Sequence, residues 1–138
     1  MVAYPSMHYR QGIVNLAAQR QWAVRDEGAG LVLEIPLPTR RTQVVHMTPS
    51  RDADGLEILF FWSIAAPANR VPDPWSIMQE SVRLSYGAYA VKDGNLLVVA
   101  TRMAQYAQLD ELARVVYYVA HYADEMERRL VGAFYDGN

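Results

Sequence analysis

Cysteine is absent from all 138 residues. That excludes a disulfide framework, an iron–sulfur cluster, a thiolate zinc site and a cysteine nucleophile, and it fits a reducing compartment. Charge of one sign is also missing: 13 Lys and Arg stand against 15 Asp and Glu, a formal net charge of -2. A general nucleic-acid binder carries a basic face, and an anionic membrane surface selects one too, so neither partner is expected. No run of 18 apolar residues occurs, so no membrane span is expected. "MVAYPSMHYRQG" has no basic stretch followed by an apolar core, which speaks against a secretory leader. A cytoplasmic bacterial protein is the simplest expectation.

Apolar residues, by contrast, are plentiful. They make up 51% of the chain against 20% charged, the balance of a globular domain that can bury a core. No linker, repeat or low-complexity segment interrupts the sequence, so residues 1–138 read as one domain.

Secondary structure follows from periodicity and punctuation. Ile13, Leu16, Ala17 and Arg20 within residues 10–21 recur at helical spacing. "DEGAG" at 26–30 reads as a turn, and "LVLEIPL" as a strand closed by Pro36 and Pro38. "RRTQVVHM" at 40–47 gives a second strand and "LEILFFWSIA" at 56–65 a third, with Leu56, Ile58, Phe60, Trp62 and Ile64 on one face. Asp73-Pro74 has the form of an N-cap followed by proline at the first helical position, with a helix running to about Tyr86 and Gly87 suited to ending it. Asp93-Gly94 between two apolar runs is a strong hairpin signal, pairing Lys92 with Asn95, Val91 with Leu96, Ala90 with Leu97 and Tyr89 with Val98. Both faces of that hairpin are apolar, whereas an antiparallel sheet with one wet face should alternate. The hairpin is therefore expected as a central piece with cover on both sides, supplied by the second helix or by a partner. Leu109, Leu112, Val116, Val119, Ala123, Met126 and Leu130 step by three and four, a seam of about six turns that is better read as a core helix than as a coiled coil. The order α-β-β-β-α-β-β-α describes an α+β domain, three helices laid on an antiparallel five-stranded sheet.

This order of features resembles a known family. "ESVRLSYGAYAVKDGNLLVVATRMAQYAQLDELARVVYYVAHYADEMERRL" looks like the C-terminal half of type III secretion chaperone-like domains, including YbjN-like proposed bacterial regulators. "TRRTQVVHM" is similar to their arginine-bearing second strand. The Pro-rich strand exit "IPLPT" and the tyrosine-rich last helix depart from that pattern. The resemblance implies a homodimer that holds a partner polypeptide. It also places the association surface on Trp75, Met78, Val82 and Tyr86.

Residue by residue, chemistry finds little support. His121 shares a helix face with Asp124 and Glu125, an incomplete metal site at best. The plainer reading is a solvated face in which those carboxylates pair with Arg128 and Arg129. Arg40, Arg41 and Arg51 could form an anion patch, but they read more simply as solubilising charges near strand ends. "GAGLVLE" precedes a strand and fails as a phosphate cradle. No serine stands in a nucleophile elbow. Asp110-Glu111 suits the first turn of a helix, where it favours the helix dipole rather than acid–base work. Of the three tryptophans, Trp75 opens a helix after a proline-rich loop and is the best interface residue. No cofactor, metal or catalytic residue is expected. The function expected is a non-enzymatic protein-binding module, chaperone-like or regulatory. The alternatives are an immunity-type inhibitor of a toxin or enzyme, and a small-molecule sensor that uses His46 and the arginines.

Overall fold

A computed structural model describes the backbone of residues 7–136 and the side chains of residues 9–131. The elements run α1 (Met7–Gln19), β1 (Ala23–Asp26), β2 (Leu31–Pro36), β3 (Thr42–Arg51), β4 (Glu57–Pro67), α2 (Pro74–Glu80), β5 (Ala88–Lys92), β6 (Asn95–Met103) and α3 (Leu109–Asp136). The strands form a single antiparallel sheet in the order β1-β2-β3-β4-β6-β5. This sheet has six strands, not five. The additional one, "AVRD", pairs Ala23–Asp26 with Leu31–Glu34 across the expected turn. It is short and largely exposed at the sheet edge, so it carries no apolar alternation for sequence reading to detect.

All three helices lie on the same side. Ile13 and Ala17 of α1, Ile77 of α2 and the α3 seam from Leu112 to Met126 share one core with the inward residues of the strands. Those inward residues follow from the register: Leu33 opposite Val45, Met47 opposite Phe61, Phe61 opposite Ala100 and Tyr89 opposite Val98. Polar atoms within this layer are paired. Gln43 Nε2 donates to Ser63 Oγ at 2.9 Å and to the Ile64 carbonyl at 2.9 Å, while Ser63 Oγ donates to the Val44 carbonyl at 2.6 Å.

The Asp93-Gly94 hairpin has the anticipated register at every pair, and both turn residues adopt positive φ, 52° and 79°. That matches a turn whose twist suits the flanking strands. Its position differs from expectation. β5 is an edge strand, so the hairpin closes one side of the sheet instead of forming its centre. The second helix is also shorter than anticipated. It ends at Glu80 and passes into a 3₁₀ turn, Ser81–Arg83. Gly87 lies beyond it, at φ 106°, where a Cβ would come 2.7 Å from the Val99 carbonyl oxygen. Its role is to let the chain pass close against β6 on entry to β5.

Candidate protein-binding surfaces

Among the described residues, two groups of apolar side chains on neighbouring elements stay exposed after the core is assembled, apart from Tyr106, Leu109 and Val131 elsewhere. The first is built on α2 and the 3₁₀ turn. Asp73 caps the helix, accepting from the Ser76 amide at 3.3 Å, with Pro74 in the first turn. A helix of 7 residues is too short to be stable by propensity. Tertiary links hold this segment instead. Arg129 Nη1 and Nη2 donate to the two Glu80 carboxylate oxygens at 2.8 and 3.0 Å. The Ser85 amide donates to Tyr122 Oη at 3.0 Å, and Arg114 Nε donates to Tyr86 Oη at 3.3 Å. The bidentate guanidinium holds the Glu80 carboxyl below its ordinary value. Fixed in this way, the segment leaves Trp75 79% and Val82 89% exposed.

The four residues expected to bind a partner thus divide. Trp75 and Val82 point into solvent, whereas Met78 and Tyr86 are half-buried and pack against the core. Tyr86 also stacks at a tilt on Tyr118, ring centroids 5.0 Å apart. Val91, on the neighbouring edge strand, adds a further exposed apolar side chain. In the hairpin, Tyr89 belongs to a pair whose amides point away from β6. Ser81 Oγ accepts from the Tyr89 amide at 2.9 Å, so the edge is partly occupied by the chain's own 3₁₀ turn.

The second surface is the face of the sheet opposite the helices. A single cross-strand row runs Val32, His46, Trp62, Val99 and Ala88 from β2 to β5, of which Val32 is buried and the other four are half-buried. His46 lies flat on Trp62, ring centroids 3.9 Å apart and planes 10° apart. Burial in this stack lowers the His46 pKa, Glu27 opposing the shift and Arg25 adding to it. Val44 and Ile64 extend the apolar surface and are 37% and 39% exposed. Of the expected set Leu56, Ile58, Phe60, Trp62 and Ile64, Leu56 precedes the strand, which begins at Glu57, and the other four do share a face, but it is this uncovered one. The core takes Leu59 and Phe61 instead. The set that faces the core is the less apolar of the two, with Glu57 and Ser63 beside Leu59, Phe61 and Ala65. Alternation therefore pointed to the face that the helices leave bare; Ser63 is accommodated inside by Gln43 and the Val44 carbonyl.

The chemistry-bearing residues disperse. Asp124 is not on a solvated face. It is 1% exposed, and its carboxylate accepts from Arg41 Nε and, at 3.1 Å, from Arg128 Nε. Arg41 also reaches Glu127 at 2.9 Å and Arg51 donates to the Gly55 carbonyl at 2.8 Å, so these two of the three expected arginines are engaged separately, while Arg40 is exposed in the β2–β3 turn. Arg129 pairs with Glu80 rather than with Glu125, which instead lies 3.4 Å from His121. Trp22 is buried. The N-terminal stretch 1–6 and the side chain of His8 lie outside the described residues. Among the described residues no group of three His, Asp or Glu converges as a metal site, and no helix is long and apolar enough to cross a membrane.

This architecture has known counterparts. A chain of the HopA1-SchA chaperone–effector complex superimposes with a TM-score of 0.63 at 9% identity, over 93% of this chain and 99% of that one. A chain of the ExsC-ExsE complex gives 0.63 at 12% identity, over 93% and 97%. The chain shares their fold. Both overlaps span nearly the whole length of each partner, so the likeness is to an entire domain, and it bears out the chaperone-like α+β architecture anticipated from the helix–hairpin–helix pattern. No family model and no curated protein matches the sequence.

Proposed function

We propose that this chain is a non-enzymatic, chaperone-like protein that acts as a homodimer on a partner polypeptide in the cytoplasm. The observation that carries the reading is the pair of apolar surfaces, one on α2 and one on the sheet, that the fold leaves in water. A tryptophan exposes roughly 200 Å² when uncovered, and aromatic side chains so placed dominate binding energy at interfaces. Trp75 and Val82 are held on a segment fastened by Glu80, Ser85 and Tyr86, so little ordering would be needed on association. This surface suits the second copy, and the sheet face suits the client. The two neighbours were solved as complexes, one of them chaperone with effector, which supports a protein as the ligand. A regulatory role of the YbjN-like kind would draw on the same surfaces.

Light scattering at micromolar concentration tests the dimer, whose mass is twice 15.6 kDa. Trp75→Glu with Val82→Glu is expected to give a folded monomer, and a wild-type monomer at that concentration would sink the dimer. Client holding is tested with reduced, carboxymethylated α-lactalbumin, a permanently unfolded chain. Binding of that form and not of the native form is expected, and indifference between the two rules out a chaperone-like role.

A further inference from the structure

Resting on that reading, we infer that the helix-free face of the sheet takes an amphipathic helix of the partner polypeptide, about 13 residues long, with an uncharged apolar stripe. Three neighbouring strands, β3, β4 and β6, set the site. Their outward positions include Val44, His46, Phe60, Trp62, Ile64 and Val99 and carry no full charge above the His46 pKa. Charges appear only on the flanks, as Arg25 and Glu34 on one side and Lys92 on the other. Three strands at about 4.8 Å spacing and three outward rows about 6.8 Å apart outline a patch of roughly 14 by 20 Å. That matches one helix, about 10–12 Å across, rising about 1.5 Å per residue.

The competing occupants fit less well. A second copy would need about 800 Å² from each partner for a stable dimer, whereas this patch offers roughly 300 Å². An extended segment would need partners for its backbone. The amides and carbonyls of β3, β4 and β6 are spent on their two neighbours within the sheet, since none of the three is an edge strand. Laying an extended chain on the apolar side chains would bury unpaired N–H and C=O groups. A helix satisfies its own backbone and presents only a stripe, as α3 does on the opposite side. Both faces of the sheet would then be covered, which resolves why both are apolar.

The test uses the full chain and three fluorescein-labelled probes. One is an 18-residue peptide with a Leu/Ala stripe on a Glu/Lys background. The second is the same peptide with two central prolines, and the third is reduced, carboxymethylated α-lactalbumin. The helical peptide is expected to bind at least tenfold more tightly than the proline form. Val44→Lys with Ile64→Lys, two positions already part-exposed, is expected to weaken it at least tenfold with mass and circular dichroism unchanged. Trp75→Glu with Val82→Glu is expected to leave the intrinsic affinity per chain intact. Equal binding of the proline form overturns the inference, as does full binding by the lysine variant. Conversion of that variant from dimer to monomer overturns it too, since a second copy would then be the cover. If the wild type holds unfolded α-lactalbumin but ignores the helical peptide, the inference fails and the chaperone-like reading stands. If it binds neither, both fail.

Discussion

Asp124 offers the sharpest test of how the two layers are joined. Its carboxylate sits near the middle of α3 at 1% exposure, accepting from Arg41 in the β2–β3 turn and from Arg128 one turn further along the helix. Removing one member of a buried ion pair costs about 3–5 kcal/mol when the other is stranded without water. Here the arginine side chains are 43% and 45% exposed and can rehydrate, so that figure is an upper bound. Two charge-assisted hydrogen bonds at about 1.5–3 kcal/mol each, discounted for solvent on the guanidinium side, leave a loss of about 2–3 kcal/mol for Asp124→Asn. In a domain of this size that corresponds to a fall in Tm of about 6–12 °C. Urea melts followed by tryptophan fluorescence would report it. The cycle with Arg41→Ala should give a coupling of about 1 kcal/mol or more, because Arg41 holds the turn onto the helix. A loss below about 0.5 kcal/mol for Asp124→Asn would refute the latch and make the cluster a surface ornament.

Two further outcomes follow from the backbone and from the sheet stack. Gly87→Ala should destabilise by about 2–4 kcal/mol, because φ is 106° and the new Cβ would meet the Val99 carbonyl. Gly94→Ala, at φ 79° with nothing within 4 Å, should cost only about 1 kcal/mol, and equal losses at both sites in denaturant melts would remove the close-approach argument. For His46, burial lowers the folded pKa below the unfolded value of about 6.5. The stabilisation from its neutral stacked form is therefore fully present above about pH 6.5 and is lost as pH falls through the folded pKa. His46→Gln should lose less Tm than the wild type between pH 7.5 and pH 5, and identical pH profiles would mean that the stack does not sense the proton.

How far the sequence could be read depended on whether each local signal had one physical meaning or two. Asp93-Gly94 has one: only a tight turn with two positive φ values suits it, and the register at all five pairs followed from counting outward. The α3 seam, too short for a convincing coiled coil, reads as a core stripe, and Leu112 to Met126 do face the core, although Leu109 at its start is exposed. Strand β4 has two, since Leu59 and Phe61 alternate with Phe60 and Trp62, and the more apolar set is not the one its own helices take. Packing decided that: Ile13, Ala17, Ile77 and the α3 seam share a core with Leu59 and Phe61, through contacts too distant in sequence for periodicity to register. Strand β1 was hidden for another reason: its four largely exposed residues carry no apolar alternation and acquire strand geometry only from pairing with β2. Asp124 was misplaced because it looks like any helical carboxylate until the β2–β3 turn brings Arg41 over it. Of the surface residues, Trp75 could be found because a proline-led helix start leaves its first turn in water, whereas Val82, in the 3₁₀ turn after the helix, came only from the family resemblance. The His46–Trp62 stack could not, because it exists only across a strand pairing. A residue whose role is set by its neighbours in the same element is legible in sequence, and one whose role is set by a strand sixteen residues away becomes so only when the sheet is assembled. The surface assigned here to the client is of the second kind throughout, which is why substitution at Val44 and Ile64, and not in the hairpin, is where the functional reading stands or falls.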